Sequence, residues 1–362
     1  MKRFAPFVLA GCLALASLSC MAVSRVLFDP TSTPTSTPLP TSTPVPPTLT
    51  PSPIPPTITV TPDYCPNGDC ISACMKYLPA IAQPGAASKS LKTSYRFAGK
   101  RGGILLVTYA ISDNIIKDPF DVPGIPKSLL SYQDDRRSQQ KIWNYFAALI
   151  PDDQRRFLDE YAIFTDGKDN ILASVSQSET DMGKWVLTVD ILDAADPQNL
   201  TYTLIHEFGH LLTLNSTQVI PSRRVFDNPN SDKIYQEEVD ACKAYFVGEG
   251  CSLPDSYVNQ FVDRYWLDIF AEWQKVDDIK GENDYYAALD AFYQKHKDQF
   301  VTDYAPTNPA EDLAESFSFF VLKPKPTGDS IADQKVLFFY RYPELMELRS
   351  QIGHRLCEQL NQ

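Results

Sequence analysis

Thr201-Tyr202-Thr203-Leu204-Ile205-His206-Glu207-Phe208-Gly209-His210-Leu211-Leu212 decides the fold of this chain. Its apolar residues Leu204, Ile205, Phe208, Leu211 and Leu212 recur with the 3.6-residue period of a helix. His206 and His210 stand four apart, so both project from one face of that helix and can offer a ring nitrogen to one Zn²⁺. Glu207, one position along, is placed to take a proton from a water activated by the ion. Half of the chain's four histidines lie in this pentapeptide. Two histidines on an otherwise apolar helix face would be costly to bury without a partner.

A catalytic zinc site needs a third protein ligand and an open position. Thr213 and Ser216 stand where the extended metzincin pattern has Gly and His, which excludes that family. His296, in a Lys/Asp-rich helix end, and His354, near the C-terminus, read as surface residues. The third ligand is therefore expected to be a carboxylate. Downstream, Tyr304-Ala305-Pro306-Thr307-Asn308-Pro309-Ala310-Glu311-Asp312-Leu313-Ala314-Glu315 places Pro309 at a helix start. Glu311 and Glu315 share one face of that helix, close to the core-facing Leu313 and Phe317, where unpaired carboxylates are expensive. Glu237 or Glu238, on the first helix after the histidines, is the alternative ligand.

These two segments together resemble the gluzincin metallopeptidases of the anthrax lethal factor-like group, in the catalytic domain only. The resemblance implies that His206, His210 and Glu311 bind Zn²⁺, that Glu207 is general base, and that Tyr304 stabilises the oxyanion. Glu315 would orient a ligand. The gap from His210 to Glu311 is longer than in that group, so the Cys242/Cys251 region and the helices after it read as an insertion.

Outward from the motif, Ile104 to Ala110, Ile171 to Ser176 and Lys184 to Leu192 read as strands. Gln139 to Leu149, Asp152 to Tyr161, Ile234 to Tyr245, Tyr257 to Lys275, Tyr285 to Lys295, Glu311 to Leu322 and Ile331 to Arg349 read as helices. Strands first and helices later predict an α+β class: a zincin-like domain over 63–362, with a small mixed sheet and active-site helix followed by a mostly helical half. The aromatic cluster Tyr265, Trp266, Phe270 and Trp273 falls at helical spacing and is expected in the core. Lys184 to Leu192 is the strand expected along the cleft rim, where an extended peptide adds by β-pairing.

The N-terminus has a different character. Met1-Lys2-Arg3 and the apolar run Phe4 to Leu18 have the form of a secretory signal, over 1–20. Ser17-Leu18-Ser19-Cys20 resembles a bacterial lipobox, with Cys20 the expected lipidated residue and Leu9-Ala10-Gly11-Cys12 the alternative. Of the 29 prolines, 12 lie between Pro30 and Pro62, in a Thr/Ser/Pro-rich stretch without charge or aromatics. The stretch Thr31 to Pro62 cannot offset its ordering entropy by burial, and 21–62 reads as an extended disordered stalk. The later cysteines are even in number, as in disulfide-bonded exported chains, and Cys242 and Cys251 are the expected pair. With 33 Lys+Arg against 45 Asp+Glu the chain carries a net charge of -12 and no basic run, which argues against a nucleic-acid partner.

The resulting expectation is a surface metallopeptidase of metalloendopeptidase type, lipid-anchored to a membrane and acting on a peptide or protein substrate. The rival expectations are a non-catalytic zinc-containing binding lipoprotein and a zinc amidase acting on cell wall.

Overall fold

A computed structural model describes residues 103–167 and 171–360. The signal, the stalk and Cys20 lie outside the described residues. Among those described, no helix is long and apolar enough to cross a membrane.

The fold is α+β. Strand β1 (Ile104–Ser112) turns back into β2 (Ile115–Asp121). The two residues between them, Asp113 and Asn114, have φ of 54° and 61°, the left-handed pair of a tight hairpin turn. Helix α1 (Arg136–Leu149) follows, capped by Asp135, which accepts from Ser138 N–H at 3.0 Å. Strands β3 (Leu158–Thr165), β4 (Ala173–Gln177) and β5 (Trp185–Asp190) complete one five-stranded sheet in the order β2-β1-β3-β5-β4. Only the β3/β5 pair is parallel, so the sheet is mixed as expected.

Three sequence expectations change here. Asp152 to Tyr161 is a single 3-10 turn, Asp152–Arg155, running into β3. Leu158, Tyr161 and Ala162 mimic helical spacing, but β3 lies between β1 and β5 and is buried on both faces, which removes the alternation that marks a half-buried strand. Second, β5 is internal, paired with β3 and β4, so Lys184 to Leu192 cannot be the rim strand. The edge strand on that side of the sheet is β4, and β2 is the other edge.

Third, several helices are shorter than their apolar patterns suggest. After α2 (Pro197–Leu214) come α3 (Asp232–Ala241), α4 (Tyr257–Tyr265), α5 (Leu267–Asp277), α6 (Glu282–His296), α7 (Pro309–Leu322), α8 (Ile331–Phe339) and α9 (Pro343–Leu360). Tyr257 to Lys275 breaks at Trp266, whose indole N–H turns inward to Asp312 Oδ2 at 2.8 Å. Ile331 to Arg349 breaks before Pro343, which cannot continue a helix. Helix α3 stops at Ala241, because Cys242 leaves the helix to form the disulfide with Cys251. A two-stranded ribbon, β6 (Val219–Pro221) with β7 (Gly250–Ser252), lies beside that loop.

Helix α2 is the axis of the core. Asp196 caps it, accepting from Gln198 and Asn199 N–H at 3.0 and 3.2 Å, and Pro197 supplies the preset first turn. Leu204, Ile205, Phe208 and Leu211 are each 1% exposed or less. Truncating one of them, such as Phe208→Ala, costs about 3–5 kcal/mol. The helix packs against β4 on one side and α7 on another, with Phe208 and Phe317 meeting edge to face at 5.9 Å. Tyr265, Trp266 and Trp273 are buried as expected and Phe270 packs against the core.

Candidate metal centre and cleft

The close meeting of α2 and α7 brings His206, His210 and Glu311 together. Asn308 caps α7 by accepting from Ala310 and Glu311 N–H, both at 2.9 Å, which holds Glu311 in the first turn. Glu311 Oε2 lies 3.0 Å from His206 Nε2 and 3.2 Å from His210 Nε2, and the two nitrogens are 3.1 Å apart. His206 Nδ1 donates to Glu315 Oε1 at 2.8 Å, and Thr302 Oγ1 donates to the other oxygen of Glu315. A proton held at Nδ1 by Glu315 leaves Nε2 as the atom that His206 would offer to an ion shared with His210 and Glu311. Three acceptor atoms converging this closely need a positive charge among them, and an N,N,O donor set is of the kind that suits zinc. The residues therefore fit the ion. Among the described residues His210 Nδ1 is buried with no hydrogen-bond partner, so there only one of the two histidines has its far nitrogen anchored.

Burial would lower the His206 imidazole, but its hydrogen bonds to Glu311 and Glu315 outweigh it and raise the group well above its ordinary value, so the cluster attracts positive charge. Burial would raise the Glu311 carboxyl, but His210 and His206 outweigh it and hold the group well below the ordinary carboxylate range. Burial pushes the Glu207 carboxyl up to about 7, against the pull of both histidines. Glu207 Oε2 accepts the N–H of Val175 on β4 at 2.8 Å, so the edge strand aims this carboxylate. The Tyr304 ring centre is 6.0 Å from that of His206. Burial, then the charges of Glu311, Glu207 and Glu315, raise the Tyr304 phenol, keeping it a donor.

The alternative ligands are elsewhere. Glu238 accepts from Ser222 Oγ and Arg224, both at 2.7 Å, and Glu237 pairs with Arg224, on the exposed side of α3. His296 and His354 pair with Glu272 and Glu358 at 3.2 and 3.3 Å, half-buried and away from the motif histidines.

A cavity of about 320 Å³ opens over the cluster and is lined by His206, Glu207, His210, Tyr304 and Glu311. One wall is β4. Val175 N–H points away from β5, as do the backbone groups of Ala173 and Gln177 two residues either side. The cleft therefore has a sheet edge along it, one strand further out than expected. The other lining comes from the long segment between the motifs: Tyr235, the disulfide loop 245–249, Trp273, Asp277 and Tyr285. Trp273 thus serves the core and the cleft together, donating its N–H to Thr307 O at 3.1 Å. Sequence reading overlooked Thr302, Val175 and Glu249. The first two act through local hydrogen bonds that leave no pattern. Glu249 has a faint signature, a carboxylate between two glycines inside the Cys242/Cys251 loop. No family model, curated protein or solved structure matches this chain.

Proposed function

We propose that the protein is a zinc-dependent peptidase of gluzincin type, exported and tethered by its lipid-modified N-terminus. The observation that carries this reading is Glu207: a buried carboxylate aimed by the β4 backbone into a cleft, immediately beside a three-donor cluster that has no fourth protein ligand among the described residues. A purely structural zinc site closes with four protein ligands and has no use for a basic group at its side.

His206, His210 and Glu311 would hold the ion, with Glu315 and Thr302 fixing His206. Zn²⁺, when bound, supplies Lewis-acid polarisation of a carbonyl and acidifies a water. An extended peptide pairs with the outward backbone groups of Ala173 and Gln177 on β4, which lays its scissile bond across the cluster. Glu207 removes the proton of the attacking water and returns it to the leaving amine. Tyr304 donates its phenolic proton in a hydrogen bond to the developing oxyanion.

The test combines zinc content with hydrolysis of an unfolded protein by the full chain, Glu207→Gln and Glu311→Ala. The expected result is zinc retained but hydrolysis lost in Glu207→Gln, and zinc weakened in Glu311→Ala. Stoichiometric zinc without hydrolysis of any peptide or cell-wall amide would sink the catalytic reading in favour of a binding lipoprotein.

A further inference from the structure

The disulfide loop is built around one side chain. Gly248 has φ of 91°, a conformation that disfavours any residue with a Cβ. A Cβ on Gly250 would stand 2.1 Å from Ile220 O, so only glycine fits against β6. Between them, Glu249 O accepts Ser222 N–H at 2.8 Å, and Val247 N–H donates to Gly250 O at 3.0 Å. The Cys242–Cys251 disulfide closes the loop, and Asn259 Oδ1 accepts Tyr245 N–H at 2.9 Å. The backbone on both sides of Glu249 is thus tied down.

The side chain is treated differently. Glu249 lines the cleft, and its Oε2 is buried with no hydrogen-bond partner among the described residues. Leaving a buried carboxylate oxygen unpaired costs free energy, which a donor arriving with a ligand would recover. The groups around it suit a cation. Asp277 lines the same cavity, and Tyr235, Phe246 and Trp273 add aromatic faces, Tyr235 and Phe246 meeting edge to face at 5.4 Å. Carboxylates among aromatic rings are the environment that a guanidinium or ammonium group prefers. The negative net charge of the chain favours approach of such a group.

We infer that Glu249, with Asp277, forms a specificity pocket in the cleft for a lysine or arginine side chain of the substrate peptide. This rests on the peptide-cleft reading above and names the substrate class it takes. Glu249 binds and orients; it performs no step of the hydrolysis.

The test is calorimetric binding of blocked Ala-based hexapeptides, with Arg, Gln or Glu scanned through every position, to the full chain carrying Glu207→Gln. At one position the Arg peptide should bind about 10- to 100-fold more tightly than the Gln peptide, the range of a hydrogen bond to a charged group. Adding Glu249→Gln should bring that ratio close to one, and Glu249→Lys should invert the order of the Arg and Glu peptides. Thermal melts of both variants verify that the loop remains folded. Equal binding of Arg and Gln peptides, a preference that survives Glu249→Gln, or no binding of any peptide would overturn the inference. Cleavage of the same peptides by the unmodified chain separates the two readings. Cleavage indifferent to Arg and to Glu249 removes the pocket and keeps the peptidase, whereas Glu249-dependent Arg binding without cleavage keeps the pocket and removes the peptidase.

Discussion

A Cβ placed on Gly209 would stand 3.3 Å from the Cα of Ala314 and 3.2 Å from the Phe317 ring, so α2 and α7 touch almost backbone to backbone beside the metal-ligand cluster. This contact sets the span between His210 and Glu311, each only a residue or a turn away from it. Gly209→Val must push the helices apart. The expected cost is about 1–3 kcal/mol of stability from overpacking. Zinc affinity, measured by competition with a chelator, should fall with it. A variant with a lower melting temperature and unchanged zinc affinity would show that the helix contact does not set the ligand geometry.

Among the three ligand side chains, the one that Glu315 hydrogen-bonds is His206. Glu315→Ala leaves the buried His206 Nδ1 proton without an acceptor and frees the ring to turn. Zinc affinity should drop about 10- to 100-fold, the usual effect of losing such an orienting carboxylate. Glu315→Gln, which keeps an acceptor, should recover part of the loss. Chelator competition on both variants checks this, and equal affinities in all three proteins would remove Glu315 from the site.

Behind the cluster, Lys335 is fully buried with its Nζ 2.6 Å from Asp312 Oδ2 and 4.2 Å from the Phe300 ring centre. Asp312 also accepts from Trp266, and burial pushes its carboxyl up to about 6. Lys335→Met strands this carboxylate and should destabilise the fold by about 3–5 kcal/mol. Lys335→Met combined with Asp312→Asn should restore most of that. Urea unfolding of the single and double variants checks the coupling, and additive losses would disprove it.

Asp190 gives a pH signature distant from the metal ligands. Its side chain is fully buried and burial pushes the carboxyl up to about 6, although Asp166 and Leu192 N–H groups oppose the shift at 2.8 and 2.7 Å. The folded protein therefore binds this proton more tightly than the unfolded chain, whose value is about 3.9. The stabilisation is fully present below about pH 4 and is lost as pH rises to about 6, up to about 3 kcal/mol in all. Asp190→Asn should remove that slope. Unfolding free energies of both proteins across this range measure it, and parallel curves would place the titration on another group.

The local chemistry of the site was legible in the chain. His206, Glu207 and His210 are neighbours along one helix, where spacing alone sets the face, and Pro309 and Asn308 announce the start of α7. Cys242 and Cys251 flank one short loop, which made them the expected pair, and they form the disulfide. These relations are short-range, so backbone periodicity and capping settle them without the rest of the molecule.

What only the tertiary structure decided is which distant groups meet. Glu311 and Glu238 are both helical carboxylates, yet one faces the histidines and the other pairs with Arg224. The choice follows from the contact of Gly209 with Ala314, a packing event no local pattern encodes. The order of strands also escaped the sequence, because pairing is a long-range relation and β3, buried on both faces, loses the alternation that would reveal it as a strand at all. The pairing of β5 between β3 and β4 leaves β4 at one edge, with Val175 pointing its N–H at Glu207. Glu249 reaches the cleft for the same kind of reason. Glycine and disulfide constraints shape its loop locally, but only the folding of that loop against β6 turns the carboxylate inward.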